Sequence, residues 1–440
     1  MSKPRTGTRN TRRSSRSRGF CQNVARSLCA LALLLPLQAA TLTGLDPAFT
    51  KYPLDKWLAE PPQPRLRWHV EFTPAELSTH QRLMTRVVTR IDGRELNKRR
   101  GEGDFLVLLQ YRDAGGKLWQ HHGGLDLGRL QPGIQGSDID LTIFAFILPG
   151  DYTATVAVID TRTGDHNVVQ RKFHVAPLKT DPLPDAWTGL PAVEFIAPTT
   201  DPPDVWYLPD IENRLHLTLR TQRPVHLQVL VNTTPTERAA GSAYALRRNM
   251  SLLIPALKIL SRIDLPNGVT DTAFLDLTHR RVPFEQKDIH QPDWDLARQF
   301  FLKLNPGIID VRALEGQWRM RKFFWDQVAS RLTPKGPEIP VVIVLSGPAF
   351  FEDQEPVDPR PAAAGDSRLF YIRYRTVPVR PRTRPRPGMR PPPPPLAFSS
   401  MPVDDLEHTV EPLGARLFDV VNTEQFRRVL AAILDQIAQL

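Results

Sequence analysis

Apolar residues follow two different periods in the two halves of this chain. Between about 65 and 177 they alternate with polar residues in short runs broken by Gly, Pro and Asp. Phe105-Leu106-Val107-Leu108-Leu109 is an apolar strand, and Tyr111 to Lys117, with Gly115-Gly116, reads as the hairpin turn behind it. Further strands are predicted over Ile139 to Phe146, Tyr152 to Ile159 and Asn167 to Val175. The last two flank Asp160-Thr161-Arg162-Thr163-Gly164-Asp165, a turn whose Gly suits positive φ. Alternating polarity in Tyr152 to Ile159 is that of a half-buried antiparallel strand. Short strands at this spacing predict an immunoglobulin-like antiparallel β-sandwich over 65–177. Thr73 to Asp92 carries both helical and strand character. His121-His122-Gly123-Gly124 reads as a surface turn.

From about 211 the period changes. Val225 to Val231 is a continuous apolar run, followed by Asn232-Thr233-Thr234-Pro235-Thr236. An amphipathic helix is predicted from Ala243 to Ile263, with Leu246, Met250, Leu253, Ile254, Leu257 and Leu260 on one face. Strand Arg214 to Leu219 is expected to pair with Val225 to Val231. Strands at Val269 to Leu277 and Arg281 to Phe284 form a hairpin, and helices are expected at Asp293 to Leu302 and Arg312 to Ala329. Strands Val341 to Leu345, Phe370 to Arg375 and Ala415 to Val420 follow. A terminal helix from Thr423 buries Phe426, Val429, Leu430, Ile433 and Ile437 at i, i+3, i+4, i+7 spacing. Thr423 is read as its N-cap. Strands alternating with helices predict a parallel sheet covered on both faces, a doubly wound α/β domain over 211–440.

An apolar strand that ends in a hydroxyl-rich turn and leads into a helix resembles the first unit of a von Willebrand factor type A domain. That family ends the strand in Asp-x-Ser-x-Ser, part of a metal-ion-dependent adhesion site. Here the three positions are Asn232, Thr234 and Thr236. A later strand in the family ends in Thr-Asp-Gly; here Val341 to Leu345 runs into Ser346-Gly347-Pro348, with Gly347 at the Asp position. Both anionic ligands of a hard cation are absent. The resemblance therefore implies a type A–like domain with a degenerate metal site, no cofactor, and a binding face carrying Asn232, Thr234, Thr236 and Ser346. Two accounts of these residues stand side by side. They form a weakened cation site completed by a partner's carboxylate, or their hydroxyls cap the following helix.

Charge changes the picture at the start of the chain. The formal net charge is +10 over 440 residues, but eight Lys and Arg and no acid lie in residues 1–40. The remaining 49 basic and 47 acidic residues give +2, which speaks against a nucleic-acid binder. The basic start precedes the apolar run Leu28 to Leu37 and then Gln38-Ala39-Ala40, the layout of a secretory signal peptide cut after Ala39 or Ala40. The two cysteines, Cys21 and Cys29, both precede that cut, so the mature chain has no disulfide or cysteine metal site. Pairing of a sandwich with a type A–like domain looks like bacterial extracytoplasmic proteins, periplasmic or secreted.

Proline, at 43 residues, is about twice ordinary usage. Residues 41–64 are read as an extended segment. Residues 178–210 are read as a semi-rigid linker whose Trp187, Phe195, Trp206 and Tyr207 pack onto a domain, fixing the domain geometry. Val377 to Leu396 is an Arg/Pro-rich loop with five consecutive prolines, expected as exposed polyproline II. Counting from Arg373, seven Arg reach Arg390, a basic patch suited to an aromatic groove or an anionic envelope surface.

No HExxH, phosphate loop or Gly-x-Ser-x-Gly elbow occurs, and no orienting His–Asp pair is evident around Ser346. The expected function is non-catalytic protein–protein interaction or scaffolding outside the cytoplasm, without metal. Two alternatives stay open. One is divalent-cation-dependent adhesion; the other is a secreted hydrolase with a site between domains, for which Asp271, Asp276 and His279 are the residues to replace.

Overall fold

A computed structural model describes residues 45–61, 66–131, 133–196, 215–234, 243–289, 292–303, 319–349, 366–375 and 404–440. Residues 1–40, read as a signal peptide and holding both cysteines, Thr236 and the Arg/Pro loop 377–396 lie outside the described residues. All described residues belong to one unit, 39–440.

The described residues of the first half form eight strands: β1 (Trp68–Leu77), β2 (Leu83–Ile91), β3 (Asp104–Asp113), β4 (Leu118–Asp126), β5 (Ile139–Ile147), β6 (Gly150–Asp160), β7 (His166–Val175) and β8 (Val193–Ile196). They form two antiparallel sheets, ordered β1-β2-β5-β8 and β4-β3-β6-β7. Because side chains alternate across a strand, Phe105, Val107, Leu109 and Tyr111 of β3 point one way. They share a core with Val87 and Ile91 of β2, Ala145 of β5 and Phe195 of β8. Leu108, Ala157 and Ile159 point the other way and are covered by Leu54 and Trp57.

Several expectations for this half change. The ambiguous stretch from Thr73 is strand on both sides of a tight turn; its register slips between Thr73 and Glu76, around Pro74, which has no N–H to offer a ladder. Residues 41–64 are not simply extended, for Ala48–Lys51 and Leu54–Ala59 are helical and the second closes the sandwich's outer face. His121 and His122 lie within β4, not in a surface turn: three preceding residues of that strand pair regularly with β3. Val193–Ile196, placed by sequence inside the linker, is instead an edge strand on β5. The Gly164 turn is as expected, with φ of 73°.

The second half builds a six-stranded sheet from β10 (Val225–Asn232), β12 (Gly268–Asp276), β13 (Arg281–Ile289), β14 (Ile339–Ser346), β15 (Arg368–Tyr374) and β16 (Arg416–Val420), with β9 (Leu217–Thr218) and β11 (Ile263–Asp264) forming a separate parallel pair. Its order is β13-β12-β10-β14-β15-β16. Neighbours are parallel except β13, which returns antiparallel along β12. β13 holds Pro283 and the positive-φ residue Asp288. Val225, Leu227, Val229 and Val231 of β10 and Ile339, Val341, Ile343 and Leu345 of β14 face the helices Ala243–Leu260 and Thr423–Ala438. Leu230, Val342 and Val344 face the helices Met320–Leu332 and Asp405–Val410.

The expected fold class is corrected by this arrangement. Among the described residues strand accounts for 42% and helix for 27%, and the strands fall into four sheets. The architecture is β-rich and multisheet, and what accompanies the sandwich is not a doubly wound type A–like α/β domain. The expected hairpin of β12 and β13 is present, and two local features depart from the expected layout. The strand before β10 pairs with β11 rather than with β10, so β10 is flanked by β12 and β14 alone. The long helix also stops at Leu260, where the chain turns directly into β11.

The sandwich and the second half meet at the start of the terminal helix. Arg427, 1% exposed, donates Nε to Asp181 Oδ1 at 2.6 Å and Nη2 to Asp181 Oδ2 at 2.9 Å. Its remaining donors reach the carbonyls of Gln81 and Leu183, and its guanidinium lies over the Trp187 ring, 4.7 Å from the centroid. Thr423 is not the helix cap. Asn422 accepts from Gln425 N, while Thr423 Oγ1 donates to Leu77 O of the sandwich.

Candidate functional site

The residues singled out by sequence gather where β10 and β14 end side by side. Parallel register places Val231 beside Leu345, and so Asn232 beside Ser346. Asn232 Nδ2 donates to Ser346 Oγ at 2.9 Å, and Ser346 Oγ donates to Gly347 O at 2.6 Å. Asn232 Oδ1 accepts from Thr234 N at 3.0 Å, closing the turn on itself. Thr234 Oγ1 accepts from Leu277 N at 2.8 Å, just past the end of β12. The hydroxyl of Thr234 thus stitches this turn to the neighbouring strand's exit, where sequence reasoning has it capping the following helix. Thr233 doubles the stitch, with its N and Oγ1 both donating to Leu275 O.

Asn232 and Ser346 are fully buried, at 0% exposure. Neither can touch a partner directly, which corrects the expected binding face at those two positions. Thr234 is half-buried. Asn232 spends both ends of its amide inside the protein, so its oxygen is already committed to Thr234 N. Among the described residues, no three His, Cys, Asp or Glu side chains stand together as a metal-binding set.

Behind this pair lies a charged network that sequence reasoning missed. Tyr371 of β15 donates its hydroxyl to Asp404 Oδ2 at 2.8 Å. Asp404 also accepts from Ala349 N, Leu406 N and Arg373 Nη1. Arg373 reaches Glu407 at 2.6 Å and makes a two-point pair with Asp419 at 2.7 and 3.2 Å. Arg373 and Asp404 are both 3% exposed. Burial raises the Asp404 carboxyl above its ordinary range despite the donors around it. Burial also pushes the Tyr371 hydroxyl well up, helped by the charge of Asp404. Burial works against the charge of Arg373, yet its bonds to Asp419, Glu407 and Asp404 outweigh that and raise it. Asp419 resists burial through Arg373 and Arg375 and stays below its ordinary range.

This network removes two members from the expected basic patch. Arg373 sits inside β15 and Arg375 just after it, and both pair with Asp419. The signal was present in the sequence as Leu369-Phe370-Tyr371-Ile372-Arg373, a charge ending an apolar run, with the acidic stretch Asp404-Asp405-Leu406-Glu407 downstream to match it.

Two His–Asp pairs stand among the described residues of the second half, neither of them bonded to Ser346. His279 Nδ1 lies 2.7 Å from Asp276 Oδ2, and Asp276 Oδ1 accepts from His279 N. Arg281 Nε donates to the same carboxylate at 3.1 Å. His226 Nε2 lies 2.8 Å from Asp271 Oδ2, and Asp288 N donates to Asp271 Oδ1. Burial would raise Asp271, but His226 and the Asp288 amide bring it below its ordinary range. The three residues named for a hydrolase, Asp271, Asp276 and His279, thus fall into two separate pairs. Ser346 Oγ belongs to neither, since its bonds run to Asn232 and Gly347.

No protein-family model matches the chain, and no curated protein matches it. Solved structures give low similarity. A structural-genomics target matches at 17% identity with a TM-score of 0.16, covering 26% of this chain and 87% of its own. The putative ApaA protein from Bordetella pertussis matches at 16% identity with a TM-score of 0.15, covering 27% of this chain and all of its own. A family 123 glycoside hydrolase from Clostridium perfringens matches at 8% identity with a TM-score of 0.23, covering 80% of this chain and 72% of its own. At these scores none indicates a type A–like domain or carries an argument about activity.

Proposed function

We propose that the chain is a non-catalytic interaction or scaffold protein that works outside the cytoplasm and without a bound metal. The observation that supports this reading is the saturation of the β10–β14 strand ends. Asn232, Thr233, Thr234 and Ser346 all bond to other groups of the protein. Polar residues so committed act as an internal latch, since a cation or substrate would have to break bonds already made in a buried setting. A protein partner is engaged elsewhere on the surface. The basic, apolar N-terminal segment supplies the reason for placing it outside the cytoplasm.

The test is thermal melting of the purified mature chain with Mg²⁺, Mn²⁺, Ca²⁺ or chelator. The expected result is one melting midpoint in all four. A ligand at 100 times its Kd stabilises by about 2.7 kcal/mol, a shift easily seen. A cation-dependent rise that Thr234→Ala abolishes would replace this reading with the adhesion one.

One observation favours a hydrolytic second reading: His279 is held through Nδ1 by Asp276, which leaves Nε2 as the basic nitrogen. Hydrolysis of model esters or glycosides that is lost in His279→Gln, with folding intact, would establish it.

A further inference from the structure

The turn between β1 and β2 is the sandwich's hold on the terminal helix. Gln81 occupies it with φ of 59°, a left-handed conformation that a side chain adopts only when its surroundings enforce it. That conformation presents Gln81 O to Trp187 Nε1 at 2.8 Å and to Arg427 Nη1 at 3.2 Å, and lets Gln81 Nε2 donate to Thr423 O. Ser78 closes the turn through both N and Oγ to Arg82 O. Three hydrogen bonds shared with the terminal helix and one from Trp187 therefore converge on residues 77–81, counting Thr423 Oγ1 to Leu77 O.

His80 sits inside the same turn. Its side chain is only part-buried as a whole, yet both ring nitrogens are shut from solvent and have no hydrogen-bond partner among the described residues. The ring stands edge-on to Phe146 of β5 at 5.2 Å. The charges acting on it are Lys258 of the 243–260 helix, Arg262 in the turn behind that helix, and Arg82 of its own turn, all cationic. The nearby acid Glu194 of β8 is engaged by Arg82. A neutral imidazole is tolerated here; an imidazolium has no acceptor for either N–H and three cations for company.

We propose that the β1–β2 turn is an acid-operated release for the terminal helix, with His80 as its trigger. When the ring takes up a proton, the turn leaves its seat and the hydrogen bonds to Trp187, Thr423 and Arg427 go with it. The direction follows from the proton balance. Burial first, then Lys258, Arg82 and Arg262, push the imidazole from 6.5 down to about 3 in the closed seam. The open form binds the proton more tightly, so the closed seam is at full strength above pH 6.5 and loses about tenfold in its equilibrium per pH unit below that.

The experiment is amide hydrogen exchange on the full chain at pH 7 and pH 5, corrected for intrinsic rates, compared with His80→Phe. The expected result is a loss of protection of up to roughly thirtyfold in residues 77–82 and 423–430 at pH 5. His80→Phe should keep its protection, with sandwich strands β3 and β6 unchanged in both proteins. Equal losses in both proteins, or none in the wild type, overturn the proposal. Should His80→Phe fail to fold, an NMR titration of the His80 ring in the wild type decides. A ring that stays neutral until the seam amides begin to exchange supports the release. A ring that titrates near pH 6.5 with protection intact overturns it.

Discussion

Arg427 and Asp181 meet in a two-point ion pair at 2.6 and 2.9 Å, although 246 residues of chain separate them. The arginine is 1% exposed and the aspartate 14%. The pair ties the terminal helix to the segment between β7 and β8, and Trp187 stacks against the same guanidinium.

Replacing Arg427 should therefore loosen the junction as well as the helix. Arg427→Met keeps much of the apolar stem but takes the counter-charge from Asp181 and one donor each from the carbonyls of Gln81 and Leu183. The expected loss is about 3 kcal/mol, the lower end for breaking a buried pair because Asp181 is partly solvated. Arg427→Lys should recover less than half, since a lysine cannot match the two oxygens of Asp181. Chemical denaturation read by circular dichroism checks both.

The Arg373–Asp404 pair makes a pH prediction. In Arg373→Met, Asp404 loses its only described counter-charge within bonding reach, and burial raises it further. A raised carboxyl in the folded state stabilises below its unfolded value and loses that contribution as pH rises through the folded one. The variant should therefore be more strongly destabilised at pH 7 than at pH 5. Equal destabilisation at the two pH values would remove Asp404 from the explanation.

Acid should act on the wild type in the opposite sense through other residues. Asp181, Asp271 and Asp419 are all held below their ordinary range by partners that outweigh burial. Their contribution is present above about pH 4 and is lost as pH falls through their lowered values. Denaturation midpoints should decline below pH 4, and Asp419→Asn should flatten part of that decline.

The hydroxyl of Tyr371 donates to Asp404 inside a closed site, so Tyr371→Phe removes one bond and opens no large cavity. The expected cost is about 1–2 kcal/mol. Asn422→Ala should cost about 1 kcal/mol as a lost helix cap. Urea unfolding of the two variants and of their double mutant should show additive losses, since the sites share no partner.

Much of the strand and helix layout was legible because period alone decides it. The β10 run from Val225, the β14 run from Val341 and the i, i+3, i+4 face of the terminal helix all stand where their patterns put them. Assembly was less legible. Nothing in the sequence of Val193–Ile196 distinguishes four strand residues from an extended linker, and only pairing with β5 decides it. The class of the chain was misread for the same reason, since periodicity reports faces and not partners. At the strand ends, the sequence reading placed Asn232 and Ser346 on a binding face, where the structure buries both. It could not show that their polar atoms face each other, because that depends on the register between strands 114 residues apart. Arg373 was misassigned to a solvent-facing patch because its acids, Asp404 and Asp419, lie beyond the proline-rich stretch.

The antiparallel strand β13 has one further effect. A mostly parallel sheet leaves open hydrogen-bonding edges that invite another chain to add a strand. Among the described residues one edge is β13, where Pro283 offers no N–H, Lys287 is charged and Asp288 has positive φ. The other edge is β16, only five residues long. Both ends are poor templates, so the sheet should stop at six strands and the folded protein should resist growing into fibres when concentrated.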